Sequence, residues 1–253
     1  MRFQKGSIEL SAVQDLPLLR QVLRSQYATH DQLFEHMQLG CHEMRRQSFN
    51  WRIKRLVDHQ IVLRHYIPTV ASSYVYAIGM EGFLYLQGMG ECCEGVVTLQ
   101  SKSPVHLNCF HSIELNELQL ALERQNLLEQ WIPEIEIRSR NEMTNARYAK
   151  DYDAIVTLRL GAARPQFALE YERSPKSFRQ YNSIRRVIDA ETLVGEFLYL
   201  TVSDRLQAFL SHCFAQTKRR LYVGRARDFL ASALTTPVVE VATGRQVKFG
   251  DCL

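Results

Sequence analysis

No apolar run in this chain approaches the roughly 18 residues that a helix needs to cross a bilayer, which argues against an integral membrane protein. The opening residues, Met1, Arg2, Phe3, Gln4, Lys5 and Gly6, lack the apolar core of a secretory signal, so a cytoplasmic location is expected. Cysteine is sparse and unpatterned. Positions 41, 92, 93, 109, 213 and 252 contain no CxxC pair and no disulfide framework, which reads as reduced thiols of a cytosolic protein. His106, Cys109 and His111 lie close together, but their spacing matches no common zinc motif. A strong excess of one charge is also missing. The formal net charge is +4, so the molecule as a whole is not a polycation. What remains is ordinary for a globular protein: 253 residues, 46% hydrophobic and 23% charged, enough for one large domain or two small ones.

The charge is unevenly distributed. Residues 42–66 hold Arg45, Arg46, Arg52, Lys54, Arg55 and Arg64 against Glu43 and Asp58, a local basic excess of the kind that contacts nucleic acid. The same third of the chain has a readable order of elements. Val13, Leu16, Leu19, Val22 and Leu23 give helical spacing over 11–25. Thr29 is a good N-cap for a short helix over 30–37, which Gly40 stops. A longer helix over 42–59 has Phe49, Ile53, Leu56 and Val57 on its apolar face. At about 100° per residue, its opposite face carries Met44, Gln47, Ser48, Trp51, Lys54 and Arg55. A tryptophan among Gln, Ser, Lys and Arg on a solvent face is not what a purely structural helix needs. Two short strands follow, over 61–66 and 73–78, separated by a turn over 68–72, and a closing helix over 80–87. Helix, helix, basic helix and hairpin is the order of a winged helix-turn-helix, whose third helix enters the major groove of double-stranded DNA. Such modules also serve as protein contacts. The expected DNA-binding residues are Arg45, Gln47, Ser48, Trp51, Arg52, Lys54, Arg55 and Arg64.

The domains are expected at 1–87 and 109–253, with the Gly- and polar-rich stretch 88–108 as a linker. The second begins with a helix over 111–129 bearing Glu114 and Glu117, then a strand-like stretch over 132–137. Strands that begin at Asp153 and run over 167–172 are joined by a hairpin loop at 161–165. A helix over 177–192, an apolar strand over 196–202, a helix after Asp204 and a short strand over 219–224 complete a mixed sheet flanked by helices.

The acidic hairpin concentrates the chemistry. Side chains alternate faces along a strand, so Phe167, Leu169 and Tyr171 share one face and Glu170 and Glu172 the other, roughly 6–7 Å apart. Folding about the loop brings Asp153 beside them, with Lys176 following. Three oxygen donors of this kind outline a Mg²⁺ site, since converging carboxylates need a compensating cation. The alternative is a solvated acidic ladder paired with Arg173 or Lys176.

This order of elements, with an acid opening the second strand and Glu-x-Glu near the end of the third, resembles the PD-(D/E)XK nuclease superfamily. Over residues 12–230 the chain resembles the replication-relaxation family of plasmids and other mobile elements. The best matches are residues 52–61, 74–77 and the run from Glu170 to Lys176. The resemblance implies an α+β protein: an N-terminal winged helix-turn-helix, then an α/β PD-(D/E)XK-like domain with a central mixed sheet. It implies Asp153 and Glu170 as metal ligands, with Glu114 or Glu117 completing the site, for Mg²⁺ or its substitute Mn²⁺. Phosphodiester hydrolysis would follow, with Glu172 as a further ligand or general base and Lys176 or Arg173 supplying the cation. The superfamily's lysine belongs at position 172, where this chain has glutamate. A domain that keeps the fold for DNA binding or dimerisation without cutting is the alternative. A homodimer and other mobile-element proteins are the further partners implied.

Overall fold

The computed structural model describes residues 8–70, 74–91 and 105–253, with the side chains of 105–108 excepted. The chain is a mixed α+β protein that divides into two compact units. Most of the expected linker, residues 92–104, lies outside the described residues, as do residues 71–73 of the hairpin turn and strand start.

In the first unit, α1 (Asp15–Ser25) buries Leu16, Leu18, Leu19, Val22 and Leu23. Thr29 caps α2 (His30–Leu39) with a reciprocal capping box through Gln32, and Gly40 follows the last turn. The third helix, α3 (Arg46–Asp58), starts four residues later than its periodicity predicts. Cys41 takes a left-handed φ of 56°, and the N–H groups of His42 and Glu43 both turn back to Met37 O. This folds the Glu43 side chain into the interior before the helix begins. Strands β2 (Val62–Tyr66) and β3 (Tyr74–Ile78) pair antiparallel, and β1 (Ala28–Thr29) adds to β3, giving the order β1-β3-β2. The helix α4 (Met80–Gly88) follows.

The helix α5 (Val105–Arg124) is shared: residues through Asn116 belong to the first unit and those from Glu117 to the second. The physical reason is visible in its contacts. Gln32 Nε2 donates to Ile113 O at 2.8 Å, Asn116 Nδ2 donates to Tyr27 O at 2.9 Å, and Cys109 packs with Ile67, Val70 and Val75. Among the described residues the second unit therefore starts at Glu117, within this helix.

The second unit is built on a seven-stranded mixed sheet, ordered β10-β9-β8-β7-β6-β5-β4. Its strands are β4 (Leu128–Pro133), β5 (Ala154–Leu158), β6 (Gln166–Glu172), β7 (Glu196–Thr201), β8 (Arg220–Arg225), β9 (Pro237–Glu240) and β10 (Arg245–Lys248). The stretch 132–137 is not one strand. Pro133 ends β4 and caps α6 (Glu134–Met143), whose first turn carries Glu134 and Glu136, acids that suit a helix N-terminus. Ile135 and Ile137 are buried from that helix instead. The hairpin β5–β6 turns near Gly161, whose φ of 58° is the left-handed geometry that glycine adopts without strain. From β6 the chain crosses through α7 (Phe178–Asp189) to parallel β7, then through α8 (Asp204–Phe214) to parallel β8. Ser177 and Ser203 cap these two helices. Tyr181, Ile188, Leu206, Leu210 and Phe214 cover the sheet face that includes Ala168, Phe197 and Tyr199. The opposite face is sealed by α9 (Ala226–Ala231) and a final 3₁₀ turn, where Phe249 meets Phe167, Tyr222 and Phe229. Sequence patterning had assigned no element beyond residue 224.

Candidate functional site

Two clusters hold the expected functional residues. In the second unit, Asp153 stands immediately before β5, and β5 pairs with β6 so that Ala154 faces Leu169. Asp153 Oδ2 accepts the backbone N–H of Tyr171 at 2.6 Å, which pins the acid at the level of Glu170 and Glu172. Both glutamates are buried. Their neighbours are lysines. Lys150 Nζ lies 2.5 Å from Glu170 Oε1, and Lys176 Nζ lies 2.6 Å from both carboxylate oxygens of Glu172. Lys176 therefore does converge on the acids, but through Glu172 and not from the expected lysine position.

Lys150 was not foreseen. Its only sequence signal is a place three residues before the acid that opens the strand. The loop that carries it is anchored by buried Glu191, which accepts from Ala149 N at 2.8 Å, Tyr152 Oη at 3.0 Å, Thr192 N at 2.8 Å and Leu193 N at 2.7 Å.

The electrostatics follow from this packing. Burial pushes the Glu170 carboxyl up to about 7, with Asp153 adding to the rise, while Lys150 and Lys176 oppose it. Burial would lower the Lys150 ammonium, yet Glu170, Asp153 and Glu172 together hold it above the usual lysine range. Burial raises the Tyr181 hydroxyl, and Glu172 adds to that. In β7, Tyr199 is paired in register with Glu170 and is buried; its hydroxyl has no hydrogen-bond partner among the described residues.

These residues do not fit a metal ion as they stand. Each of the three carboxylates accepts an N–H donor, and the two ammonium groups supply the charge compensation that converging acids require. Among the described residues, no group of three His, Cys, Asp or Glu side chains is placed to hold one. Glu114, expected to complete the set, lies on the part of α5 that belongs to the first unit. Glu117 pairs with Arg124 at 3.5 Å. Cys109 is a core thiol, and the His106 side chain lies outside the described residues.

The second cluster is the outer surface of α3 and the β2–β3 hairpin. Phe49, Ile53 and Leu56 are buried, as their spacing predicts, while Arg45, Gln47 and Lys54 are exposed, Trp51 is 62% exposed, and Ser48 is half-buried. Two of the expected contacts are otherwise engaged. Arg52 is buried: Nη1 donates to Asp15 Oδ1 at 2.8 Å, and Nη2 reaches Gln14 Oε1 at 2.5 Å and Glu43 Oε2 at 3.4 Å. It is a structural cation that joins α3 to α1, which corrects its expected role at the surface. Arg55 donates to Asp15 Oδ2 at 2.5 Å and lies over the Trp51 ring at 5.1 Å. Lys54 makes an exposed pair with Asp58.

On the hairpin, the Arg64 guanidinium stacks on Tyr74 at 4.8 Å. It also bonds Tyr76, whose hydroxyl burial raises and Arg64 lowers, for a net rise. Between α3 and the hairpin is a groove of about 510 Å³ lined by His30, Asn50, Arg64 and Tyr74 and by two ion pairs, Arg46 with Asp31 and Lys54 with Asp58. Asn50 and His30 meet there at 2.8 Å. Neither was singled out from sequence, because each looks like an ordinary polar position until α2 and α3 are packed together.

Among the described residues no helix is long and apolar enough to cross a membrane. No family model matches the chain, and no curated protein and no solved structure is significantly similar to it, so its function rests on the chemistry of its own side chains.

Proposed function

We propose that the protein binds double-stranded DNA through a winged helix-turn-helix made by α1 to α3 and the β2–β3 hairpin. One observation carries the reading. The helix α3 buries Phe49, Ile53 and Leu56 and, with its N-cap Arg45, turns Gln47, Trp51 and Lys54 to solvent, directly before a hairpin that holds Arg64. The basic side chains supply phosphate contacts and Gln47 and Ser48 the base-edge hydrogen bonds. On the resemblance, the setting is a plasmid or other mobile element, and the second unit is a PD-(D/E)XK-like domain used for DNA binding without catalysis. Fluorescence anisotropy of the full chain against a varied duplex pool tests this. Arg45→Ala and Lys54→Ala should each weaken binding to all sequences and lower the salt slope by about 0.9. Gln47→Ala should relax sequence preference. Salt-insensitive or absent binding would make the module a protein contact.

A second reading, a divalent-metal DNA endonuclease, is supported by the meeting of Asp153, Glu170 and Glu172 at one place on the sheet. It requires the lysines to yield their carboxylates to the ion. Plasmid incubated with the purified protein and Mg²⁺ or Mn²⁺ decides it. Cleavage that EDTA and Asp153→Ala both abolish would establish the enzyme, and intact plasmid would leave the first reading.

A further inference from the structure

The stretch after β6 is exposed throughout and one-signed. Residues 173–180 are all exposed and include Arg173, Lys176 and Arg179 but no acid. Phe178 opens α7 with half of its surface in solvent, its ring 6.2 Å from that of His212 on α8. The α8 side contributes Arg205, which is also exposed. Arg173 and Arg205 line one recess of about 540 Å³ together with Pro175 and Phe209, and none of its described lining residues is acidic.

A recess with two guanidinium groups favours a phosphate, which each can hold by two hydrogen bonds. The half-exposed Phe178 ring, three residues on from Pro175 of the recess, has no use for a paired duplex, whose bases are stacked out of reach. It suits a base freed from pairing, because every base offers a face to stack on. We propose that Arg173, Arg205 and Phe178 form a second nucleic-acid contact on this chain, one that takes single-stranded DNA. This contact lies wholly in the second unit and does not depend on duplex binding by α3.

The test uses the full chain and a short fluorescein-labelled oligothymidine strand. Arg173→Ala with Arg205→Ala should weaken single-strand binding at least tenfold and reduce its salt slope by about 1.4, two phosphate contacts on a single strand. Phe178→Ala should weaken it roughly tenfold with the salt slope unchanged, since stacking releases no counterion. A strand carrying 2-aminopurine should lose fluorescence on binding to the wild type and keep it with Phe178→Ala. Duplex binding should survive these variants and fall with Arg45→Ala and Lys54→Ala, so that the two surfaces fail separately. Single-strand binding unaffected by the double arginine variant would overturn the proposal. So would competition by a polyglutamate peptide as effective as that by the strand, with no effect of Phe178→Ala; the face would then be a site for an acidic protein.

Discussion

Lys150 Nζ lies 2.5 Å from Glu170 Oε1, and this ion pair stands at the centre of three carboxylates and two lysines. Such a pair is worth little beyond its parts, but removing one partner strands the other charge away from water. Lys150→Met should therefore cost about 2 kcal/mol in urea denaturation at a pH where Glu170 is ionised, less than the about 3–5 kcal/mol of a fully buried pair because Lys150 is partly exposed. The double variant with Glu170→Gln should recover part of that loss. Equal costs for the single and double variants would show that the two side chains are not coupled.

Glu170 sets a pH dependence. Its carboxyl is raised from 4.5 to about 7 in the folded protein, chiefly by burial, so the native state holds a proton that the unfolded chain gives up. The associated stability is fully present below about pH 4.5 and is lost as pH rises to about 7. Glu170→Gln does not titrate. The melting temperature of the wild type relative to this variant should fall across that window and level off above it. A difference that is flat or rises with pH would contradict the assignment.

Arg52 and Asp15 form a second buried pair, far apart in sequence. Asp15 is fully buried and also receives Arg55 and the Ser11 N–H. Asp15→Ala leaves Arg55 without its carboxylate and Arg52 with only Glu43 at 3.4 Å, and should destabilise the first unit by about 3–5 kcal/mol. Arg52→Ala should also lower stability, whereas Lys54→Ala on the solvent side should change it by no more than about 0.5 kcal/mol. Chemical denaturation of the three variants separates the structural cation from the surface one. An Arg52→Ala protein as stable as the wild type but defective on duplex DNA would return Arg52 to the binding surface.

Tyr199 holds a buried hydroxyl with no partner among the described residues. An unsatisfied buried hydroxyl costs about 1–3 kcal/mol. Tyr199→Phe keeps the ring packing against Phe214 and removes that cost, so it should raise stability by about 1 kcal/mol. Loss of stability in this variant would mean that the hydroxyl has a partner in solution, such as an ordered water shared with the acidic cluster.

Much of the architecture was legible because it is local. The capping box at Thr29, the apolar spacing of Phe49, Ile53 and Leu56, the alternation along β6 and the turn at Gly161 depend on neighbours within a few residues. The acid hairpin was legible for the same reason, since a short loop fixes which residues of β5 and β6 face each other. Pro133 shows where local reading failed. The stretch 132–137 reads as strand-like, while the fixed φ and missing N–H of Pro133 serve to end β4 and begin α6.

Charge partners were decided only by the tertiary structure. From sequence, Arg52 and Lys54 are both expected DNA contacts on one helix, and three carboxylates on a hairpin outline a Mg²⁺ site. Packing α1 against α3 placed Asp15 at Arg52 and withdrew it from the surface, while Lys54 stayed in solvent. The loop anchored on Glu191 delivered Lys150 to Glu170, and the turn after β6 delivered Lys176 to Glu172. Periodicity determines which face of an element a residue occupies, because it depends on backbone geometry alone. The role of a charged residue depends on what distant segment meets that face, and on how much water is left there.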